Sequence, residues 1–405
     1  MKVSAKTNGC VEGQLSSTYV EQFFKKNNVE VTKDLTEANM VFFWACGLTE
    51  KREKDSLAVM REIQHKMKPD ARLIVWGCLP RINPKSLATV YDGPILGPDD
   101  KNFFEGTLEK VISPFDPMEI GWAQNMLVPS QDCPEPKGQP ADAFADALIL
   151  LKNDWGRLWE RARKNVKYFI RVASGCTGRC TYCSERCAFG KVKSRPVNSV
   201  LSDLERGLAN GYNRFSLIAT DLGAYGRDIG CTLPDLLEKM TGFTEKQDYK
   251  IILNQVNPFY LNEMFSGLEK NLASRKIETL NCPVQSGSEK ILRLMGRQHT
   301  AKDWWNSMVR INRKFPNVKL STHFMVGFPG ETDEDFKATL RLLDYPLSLE
   351  SIVIFKYSGR PRVYATRMPG QVSEETKELR SRMLQRRHLR RYFSGFAFNW
   401  LRRAF

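Results

Sequence analysis

The chain is poor in histidine and has no hydrophobic run long enough to cross a membrane. Only four histidines occur in 405 residues, so a histidine-based metal centre is not expected. The longest apolar run, Met40–Cys46, falls far short of the roughly 18 residues that span a bilayer and instead predicts a buried strand. The first residues also lack the apolar stretch of a secretory signal peptide. We therefore expect a cytoplasmic protein.

Cysteine, by contrast, is plentiful. The chain has ten cysteines, and in the cytoplasm they are not expected to form disulfides because that compartment keeps thiols reduced. Metal ligation, catalysis and simple burial are the remaining explanations. Since imidazole ligands are scarce, iron–sulfur clusters held by thiolates alone are the natural candidates.

Size and charge limit the class of protein and its partners. A chain of 405 residues, 42% hydrophobic and 26% charged, is typical of a soluble globular protein with two or three domains. The net charge of +15 favours anionic partners, of which nucleic acid is the commonest. Arginines crowd the segment 380–403, which is either a solvated helix face or a nucleic-acid contact.

The hydrophobic pattern divides the chain into four segments. Residues 1–121 alternate strand and helix signals, with a helical pattern at 50–67 between two apolar runs, and predict a parallel α/β domain. Residues 122–163 are broken by prolines and predict a linker or insertion. Residues 164–366 repeat strand–helix units and predict a complete or partial β/α barrel, and 367–405 predict a basic helix or tail. The predicted barrel strands are Tyr168–Val172, Phe215–Ala219, Lys250–Leu253, Lys319–Val326 and Ile352–Phe355.

Three closely spaced cysteines follow the first predicted barrel strand. Cys176, Cys180 and Cys183 lie on one loop, where each thiolate can bind one iron of a four-iron cluster and leave the fourth iron open. A closed structural zinc site needs four ligands. Cys187 can supply a fourth thiolate, so structural zinc is the alternative interpretation.

A second set of cysteines lies far upstream. Cys10, Cys46 and Cys78 each follow a small residue, and the last two come at the ends of predicted strands. The carboxyl-end loops of an open α/β sheet converge on one crevice, so these cysteines can meet there. Taken alone, ordinary buried free cysteines explain the pattern equally well.

Both sets together resemble a known family. The Cys-x3-Cys-x2-Cys spacing, with an aromatic residue before the last cysteine, resembles the radical S-adenosylmethionine (SAM) motif, and the upstream set is similar to that of the methylthiotransferases. Further similar motifs are Thr7–Cys10, Gly77–Arg81, Asp221–Asp228, Pro283–Ser288 and Gly327–Thr332. The stretch 221–237 most resembles the archaeal and eukaryotic branch that acts on threonylcarbamoyladenosine in tRNA.

The resemblance implies an activity and its cofactors. Cys176, Cys180 and Cys183 would hold the 4Fe-4S cluster that cleaves SAM, and Cys10, Cys46 and Cys78 would hold an auxiliary 4Fe-4S cluster. Members of this family replace a C–H bond with C–S–CH3, consuming two SAM molecules. The cofactor performs the difficult radical step, while the protein positions and shields it. An electron donor such as flavodoxin or ferredoxin is implied as a partner.

The same resemblance implies contacts to SAM at the barrel rim. The expected cofactor-binding residues are Tyr182, Asp221, Gln285, Ser286, Gly327 and Gly330. Glycines beside Pro329 let the backbone approach a ligand closely. The rim side chains can instead tie one loop to another, and the Tyr182 ring can simply pack.

Two departures from the family concern the acceptor. Only the basic tail follows residue 366, in place of the family's small C-terminal β-barrel, and His323 occupies a position where the family commonly has Asp. A tRNA nucleoside is the expected acceptor on charge and motif, with a peptide or protein residue or a small metabolite as the alternative. A third hypothesis is a non-catalytic iron–sulfur sensor.

Overall fold

The computed structural model describes residues 1–8, 11–116, 118, 167–245, 247–344 and 346–404, with side chains of the last helix as far as Tyr392. The predicted linker at 122–163 lies outside the described residues, and so does Cys10. The domain borders proposed at 121 and 164 therefore stay predictions.

The N-terminal part forms a parallel sheet covered by helices on both faces. Its strands pair in the order β2-β1-β3-β4-β5, and every pairing is parallel. The strands are β1 Lys2–Thr7, β2 Glu30–Val31, β3 Met40–Ala45, β4 Arg72–Gly77 and β5 Ile95–Leu96. The helices are Val11–Lys26, Glu50–Lys66, Cys78–Ile82, Pro84–Ala88 and Lys101–Gly106. The expected parallel α/β domain is confirmed.

The apolar runs of β3 and β4 are continuous because both faces of the sheet are buried. Phe42 and Trp44 pack on one face with the aromatic residues of the helix Val11–Lys26, whereas Phe43 packs on the other face with Met60. Successive side chains of a strand point to opposite faces, so an apolar residue is needed at every position.

The second part forms a partial barrel. In the described part of the chain, its six strands are all parallel and pair in the order β13-β12-β11-β10-β9-β6. These strands are β6 Tyr168–Arg171, β9 Arg214–Ile218, β10 Lys250–Leu253, β11 Ile277–Asn281, β12 Lys319–Val326 and β13 Ser351–Lys356. The five predicted strands are present, and β11 is an addition that the sequence pattern did not reveal.

Helices cover the outer face of this sheet. They are Val197–Ala209, Leu233–Thr241, Pro258–Glu263, Phe265–Ala273, Ala301–Lys314 and Asp333–Arg341. A further short helix, Glu289–Leu294, packs at the rim with Phe328 and Tyr357. An antiparallel pair, β7 Ala173–Ser174 with β8 Lys193–Ser194, brackets the cysteine loop and the short helix Glu185–Phe189. Single 3-10 turns occur at Leu222–Ala224 and Tyr364–Arg367. The carboxyl ends of the strands thus all open onto one rim of loops.

The basic C-terminal segment forms one long helix, Glu374–Ala404, that docks on the barrel. Arg380 lies 2.8 Å from a carboxylate oxygen of Glu331 and 2.8 Å from one of Asp333, and Arg387 pairs with Asp344. At these positions the arginines attach the helix to the barrel instead of facing a ligand. No described helix is long and apolar enough to span a membrane.

The two parts contact each other through loops at the carboxyl ends of their strands. Buried Arg171 at the end of β6 pairs with Glu12, and buried Arg360 after β13 pairs with Glu53. Arg81, after β4, donates to the carbonyl oxygen of Ala188 at 3.0 Å. The ends of the two sheets that bear the cysteines therefore face each other.

Candidate functional site

The downstream cysteines lie on the loop between β7 and the helix Glu185–Phe189. Cys176 Sγ accepts a hydrogen bond from the Gly178 amide at 3.1 Å. A Cβ added to Gly178 would lie 3.2 Å from Cys176 Sγ and 3.8 Å from Cys180 Sγ, so both sulfurs border the same space. All three cysteines are half-buried and free. This cradle fits a cluster bound by thiolates.

Backbone hydrogen bonds clamp this loop from two sides. The Thr181 amide donates to the Met295 carbonyl oxygen at 2.9 Å, and its hydroxyl donates to the Leu294 carbonyl oxygen at 2.8 Å. The Ala365 amide donates to the Thr181 carbonyl oxygen at 2.9 Å. Loops after β11 and β13 therefore hold the centre of the cysteine loop in place.

Burial keeps the thiols of Cys176 and Cys183 protonated in the absence of metal. It raises the pKa of the Cys176 thiol to about 12, and the neighbouring carboxylate of Asp221 adds to that effect. Burial, followed by the charge of Glu185, also raises the pKa of Cys183 well above its ordinary value. Thiolates are the species that bind iron, so metal uptake at this loop must release protons.

Two upstream cysteines come together at the ends of neighbouring strands. Cys46 follows β3 and Cys78 follows β4, and the last residues of these strands, Ala45 and Gly77, are paired. Both cysteines are buried. Burial raises the pKa of Cys78 well above its ordinary value, and the neighbouring charge of Cys46 raises it further. Cys10 lies outside the described residues, so its place in this set stays a prediction.

Asn8 fixes the backbone at Cys46, a role that sequence reasoning missed. Its Oδ1 accepts from the Cys46 amide at 3.3 Å, and its Nδ2 donates to Ser56 Oγ at 2.6 Å. Ser56 Oγ in turn donates to the Cys46 carbonyl oxygen at 2.8 Å. Both sides of the Cys46 backbone are thus held by side chains from the turn after β1 and from the helix Glu50–Lys66.

Unpaired donors lie beside the upstream cysteines. The indoles of Trp44 and Trp76, each two residues before a cysteine, pack edge to face with ring centroids 4.7 Å apart. Neither buried Nε1–H has a hydrogen-bond partner among the described residues. Because buried donors are nearly always satisfied, two orphaned N–H groups here fit a site that holds an anionic sulfur-containing group.

The described cysteines do not form a compact single-ion site. Within the described ranges, no three His, Cys, Asp or Glu side chains converge closely enough to hold one metal ion. Thiolates that share a zinc ion all lie about 2.3 Å from it. Those of a four-iron cluster bind different irons and are held further apart. Cys187, the fourth ligand in the zinc alternative, packs against the core of the N-terminal part. The position of Cys187 is therefore explained by packing, without a role as a fourth zinc ligand.

Replacing Gly77 with alanine is expected to destabilise the upstream site. Gly77 has φ +103°, and a Cβ there would lie 2.8 Å from Trp44 Cδ2, so the turn into Cys78 would be strained. We expect a loss of about 1–3 kcal/mol in the free energy of unfolding, measured by urea denaturation. Gly106→Ala, where a Cβ meets nothing within 4 Å, is the matched control. Equal stability of the two variants would contradict this explanation.

Asp221 and Gln285 are the strongest of the expected SAM contacts. Asp221 accepts from the Gly223 amide at 3.1 Å and from Asn257 at 3.3 Å, and it lies 3.6 Å from Cys176 Sγ. Gln285 has φ +73°, unusual for a residue with a side chain, and its buried Oε1 has no partner in the described part of the chain. A strained backbone with an unused buried acceptor is typical of a ligand-binding position.

The other expected SAM contacts have structural explanations. Buried Ser286 Oγ lies 3.3 Å from Thr339 Oγ1 and accepts from the Ser288 amide, so it ties the loop after β11 to the helix Asp333–Arg341. The Tyr182 ring packs edge to face on Phe328. Contact of Ser286 and Tyr182 with SAM therefore stays a prediction.

The rim glycines are also explained by packing. A Cβ on Gly327 would lie 2.2 Å from Lys377 Cγ, so this glycine makes room for the C-terminal helix. The Gly330 amide donates to the Gly370 carbonyl oxygen at 2.8 Å. A ligand is therefore not needed to account for either glycine, and their predicted contact with SAM stays untested.

His323 lies on β12 with its ring 5.5 Å from that of Phe355 on the neighbouring strand. Burial lowers its pKa to about 4, so the imidazole is neutral near pH 7. A neutral donor and acceptor thus occupies the position at which the resemblance led us to expect a carboxylate.

Glu185 connects the two cysteine sites. Burial raises its pKa to about 7, and the charges of Cys46 and Glu12 contribute in the same direction. The carboxylate also acts on Cys183 of the downstream set. The helix Glu185–Phe189 also packs against the helix Cys78–Ile82, so the two cysteine sites lie next to each other.

Comparison with known proteins adds independent findings. The family model described as "Radical SAM superfamily" matches residues 170–343, and the model described as "Uncharacterized protein family UPF0004" matches residues 2–94. The chain is 30% identical over 383 residues to the ribosomal protein uS12 methylthiotransferase RimO of Protochlamydia amoebophila, covering 93% of this chain and 74% of that protein. It is 28% identical over 388 residues to the threonylcarbamoyladenosine tRNA methylthiotransferase MtaB of Thermotoga maritima, covering 95% of this chain and 81% of that protein.

Solved structures share the fold. The radical S-adenosylmethionine methyltransferase TsrM from Kitasatospora setae, with cobalamin and a 4Fe-4S cluster bound, superposes with a TM-score of 0.62. The match covers 90% of this chain and 74% of that chain at 14% sequence identity. At this identity the likeness supports the fold alone.

Proposed function

Because the chain belongs to the methylthiotransferase family of radical SAM enzymes, we propose that it converts a C–H bond of a tRNA nucleoside into C–S–CH3. It is a transferase, and its cofactors are SAM and two 4Fe-4S clusters. The observation that best supports the proposed reaction is that the two cysteine sites are neighbours, because the helix that follows Cys183 packs against the helix that begins at Cys78. A C–H bond can be activated beside one cluster and receive sulfur beside the other only if the two sites are close together.

The cysteines have distinct roles in this proposal. Cys176, Cys180 and Cys183 would hold the SAM-cleaving cluster, and Cys46 and Cys78 would hold the auxiliary cluster together with Cys10. When bound, the first cluster supplies the electron that splits SAM, and the second presents the sulfur that receives a methyl group from another SAM. The chain itself shields this chemistry, since Trp44 and Trp76 exclude water from the auxiliary side.

Other residues position SAM and keep the sites in register. Gln285, with its unused buried oxygen, and Asp221, beside Cys176, are the side chains we propose to contact SAM. The Arg171–Glu12 and Arg360–Glu53 pairs join the two parts of the chain next to the cysteine loops. These pairs hold the two cysteine sites at a fixed separation.

A tRNA acceptor is supported by charge and by the relatives. The net charge of +15 favours a polyanion, and the Thermotoga maritima relative is named for its action on tRNA. The Protochlamydia amoebophila relative, named for ribosomal protein uS12, supports a protein residue as the second candidate. Anaerobic turnover with purified tRNA or with uS12, followed by mass spectrometry for the added methylthio group, distinguishes them. A modified protein with unmodified tRNA would refute the first proposal.

Binding of tRNA is expected to weaken steeply with salt. Each phosphate that the protein neutralises releases counterions, so raising the salt from 50 to 200 mM should weaken binding by roughly 100-fold if about four phosphates are contacted. Filter binding or fluorescence anisotropy with labelled tRNA measures this slope. Binding that is absent, or unchanged over this range, would point to a peptide or small-metabolite acceptor.

A further inference from the structure

A chain of hydrogen bonds connects two of the downstream cysteines through Asp221 and through two residues that the proposed reaction does not use, Arg297 and Asn257. Arg297 Nη1 donates to Cys180 Sγ at 3.5 Å, and Nη2 donates to Asn257 Oδ1 at 3.2 Å. Asn257 Nδ2 donates to Asp221 Oδ2 at 3.3 Å, and that oxygen lies 3.6 Å from Cys176 Sγ. Two cluster ligands are thus connected through a cation, an amide and a carboxylate.

The guanidinium of Arg297 is held rigidly. Its Nη2 also donates to the Pro283 carbonyl oxygen at 3.1 Å, and its backbone amide donates to the Leu292 carbonyl oxygen at 2.9 Å. Among the described residues, no carboxylate is within ion-pair distance of this guanidinium, and its buried Nε–H has no hydrogen-bond partner. Through Nη1, its positive charge therefore lies against the sulfur atom of Cys180.

The positive charge of Arg297 acts on neighbouring groups. Burial lowers the pKa of nearby His299 to about 3, and the Arg297 charge contributes to that decrease. The sulfur atoms of the cysteine loop lie in the same partly buried region. A cation here is therefore weakly screened by solvent, and its effect on a bound cluster is correspondingly large.

We propose that Arg297 is a positioning residue that raises the reduction potential of the cluster held by Cys176, Cys180 and Cys183. The inference rests on the cluster assignment in the proposed function. Reduction adds one negative charge to the cluster, and an N–H···S hydrogen bond from a cation stabilises the reduced form more than the oxidised form. Asn257 keeps the cation on the Cys180 side and the Asp221 carboxylate on the Cys176 side.

The test is a redox titration monitored by electron paramagnetic resonance. The full-length chain with Cys46→Ala and Cys78→Ala is reconstituted anaerobically, so that only the downstream cluster contributes to the signal. In this background Arg297→Gln is expected to lower the ratio of reduced to oxidised cluster at a fixed potential by about tenfold, which is a shift of about 59 mV for one electron. A loaded Arg297→Gln variant with an unchanged potential would overturn the inference.

Two further variants separate charge from structure. Arg214→Gln removes a cation that pairs with Glu278 at the opposite, amino end of the barrel strands, and it should leave the potential unchanged. Arg297→Lys keeps the charge with fewer donors. Its ratio of reduced to oxidised cluster should lie between those of the Cys46→Ala, Cys78→Ala protein and of Arg297→Gln. If Arg297→Gln takes up no cluster, the test rests on the lysine variant. A ratio of reduced to oxidised cluster in Arg297→Lys that equals or exceeds that of the Cys46→Ala, Cys78→Ala protein would then overturn the inference. Absence of any cluster in the Cys46→Ala, Cys78→Ala protein that retains Arg297 would instead refute the proposed function.

Discussion

Serine at Cys180 is expected to abolish formation of 5′-deoxyadenosine, whereas serine at Cys46 should leave SAM cleavage intact and eliminate the methylthio product. Cys180 borders the cradle beside Cys176 and receives the Arg297 hydrogen bond, so its loss removes a ligand of the SAM-cleaving cluster. Cys46 belongs to the other site, at the end of β3. Chromatography of deoxyadenosine and mass spectrometry of the acceptor measure the two steps separately.

The matched control for these variants is Cys231→Ser. Cys231 is half-buried, lies on the loop after β9, and belongs to neither cysteine set. It should retain both deoxyadenosine and methylthio product. Normal methylthio product from a folded Cys46→Ser enzyme would contradict the assignment of the auxiliary site. Wild-type protein that binds clusters but forms no deoxyadenosine would support the sensor hypothesis.

How much of the fold could be predicted depended on where each strand is buried. β3 was visible because both of its faces are covered, so its sequence is a continuous apolar run. β11 was missed because Glu278 and Asn281 interrupt its apolar pattern. The structure explains both residues: Glu278 binds Arg214 of β9 at 2.8 Å through each of two nitrogens, and Asn281 donates to Ser321 at 2.9 Å. Because these polar residues pair between strands, β11 lacks the apolar pattern that predicts a buried strand.

The candidate site was predictable where its ligands are close in sequence. Cys176, Cys180 and Cys183 are recognisable by spacing alone, because one loop supplies all three. The side chains that support the site come from distant loops, and Arg297 is 117 residues from Cys180. No spacing rule reveals such a contact. Gly327 shows the opposite case. Its sequence motif predicted contact with a ligand, but in the structure the Lys377 side chain lies against this glycine.

Replacing Arg360 with methionine is expected to lower the free energy of unfolding by about 3–5 kcal/mol. Arg360 and its partner Glu53 are both buried where the loop after β13 meets the helix after β3. Removing the guanidinium leaves a buried carboxylate without its counter-ion. Urea denaturation of the cluster-free protein measures the loss. Arg362→Met, which removes an exposed side chain with one hydrogen bond to the Arg81 carbonyl oxygen, is the control and should change stability by less than about 0.5 kcal/mol.

The ion pair also predicts how stability depends on pH. Burial alone would raise the pKa of Glu53, but hydrogen bonds from Arg360, Ser86 and Asn83 hold it below its ordinary value. A carboxyl with a depressed folded pKa contributes stability above its unfolded pKa and loses that contribution as the pH falls through the folded value. The difference in the free energy of unfolding between wild type and Arg360→Met should therefore be largest near pH 7 and decrease below about pH 4. A difference independent of pH would contradict the ion-pair explanation.

Loss of this pair should also affect the two chemical steps unequally. Glu53 lies on the helix whose Ser56 donates to the Cys46 carbonyl oxygen, so Arg360 connects the barrel rim to the backbone of the upstream site. The downstream loop keeps a second clamp that the Arg360 loop does not supply, from Thr181 to the carbonyl oxygens of Leu294 and Met295. Arg360→Met should consequently reduce methylthio product more than deoxyadenosine, measured at a temperature where the variant is folded. Equal reduction of both products would show that the pair serves stability alone and does not set the distance between the sites.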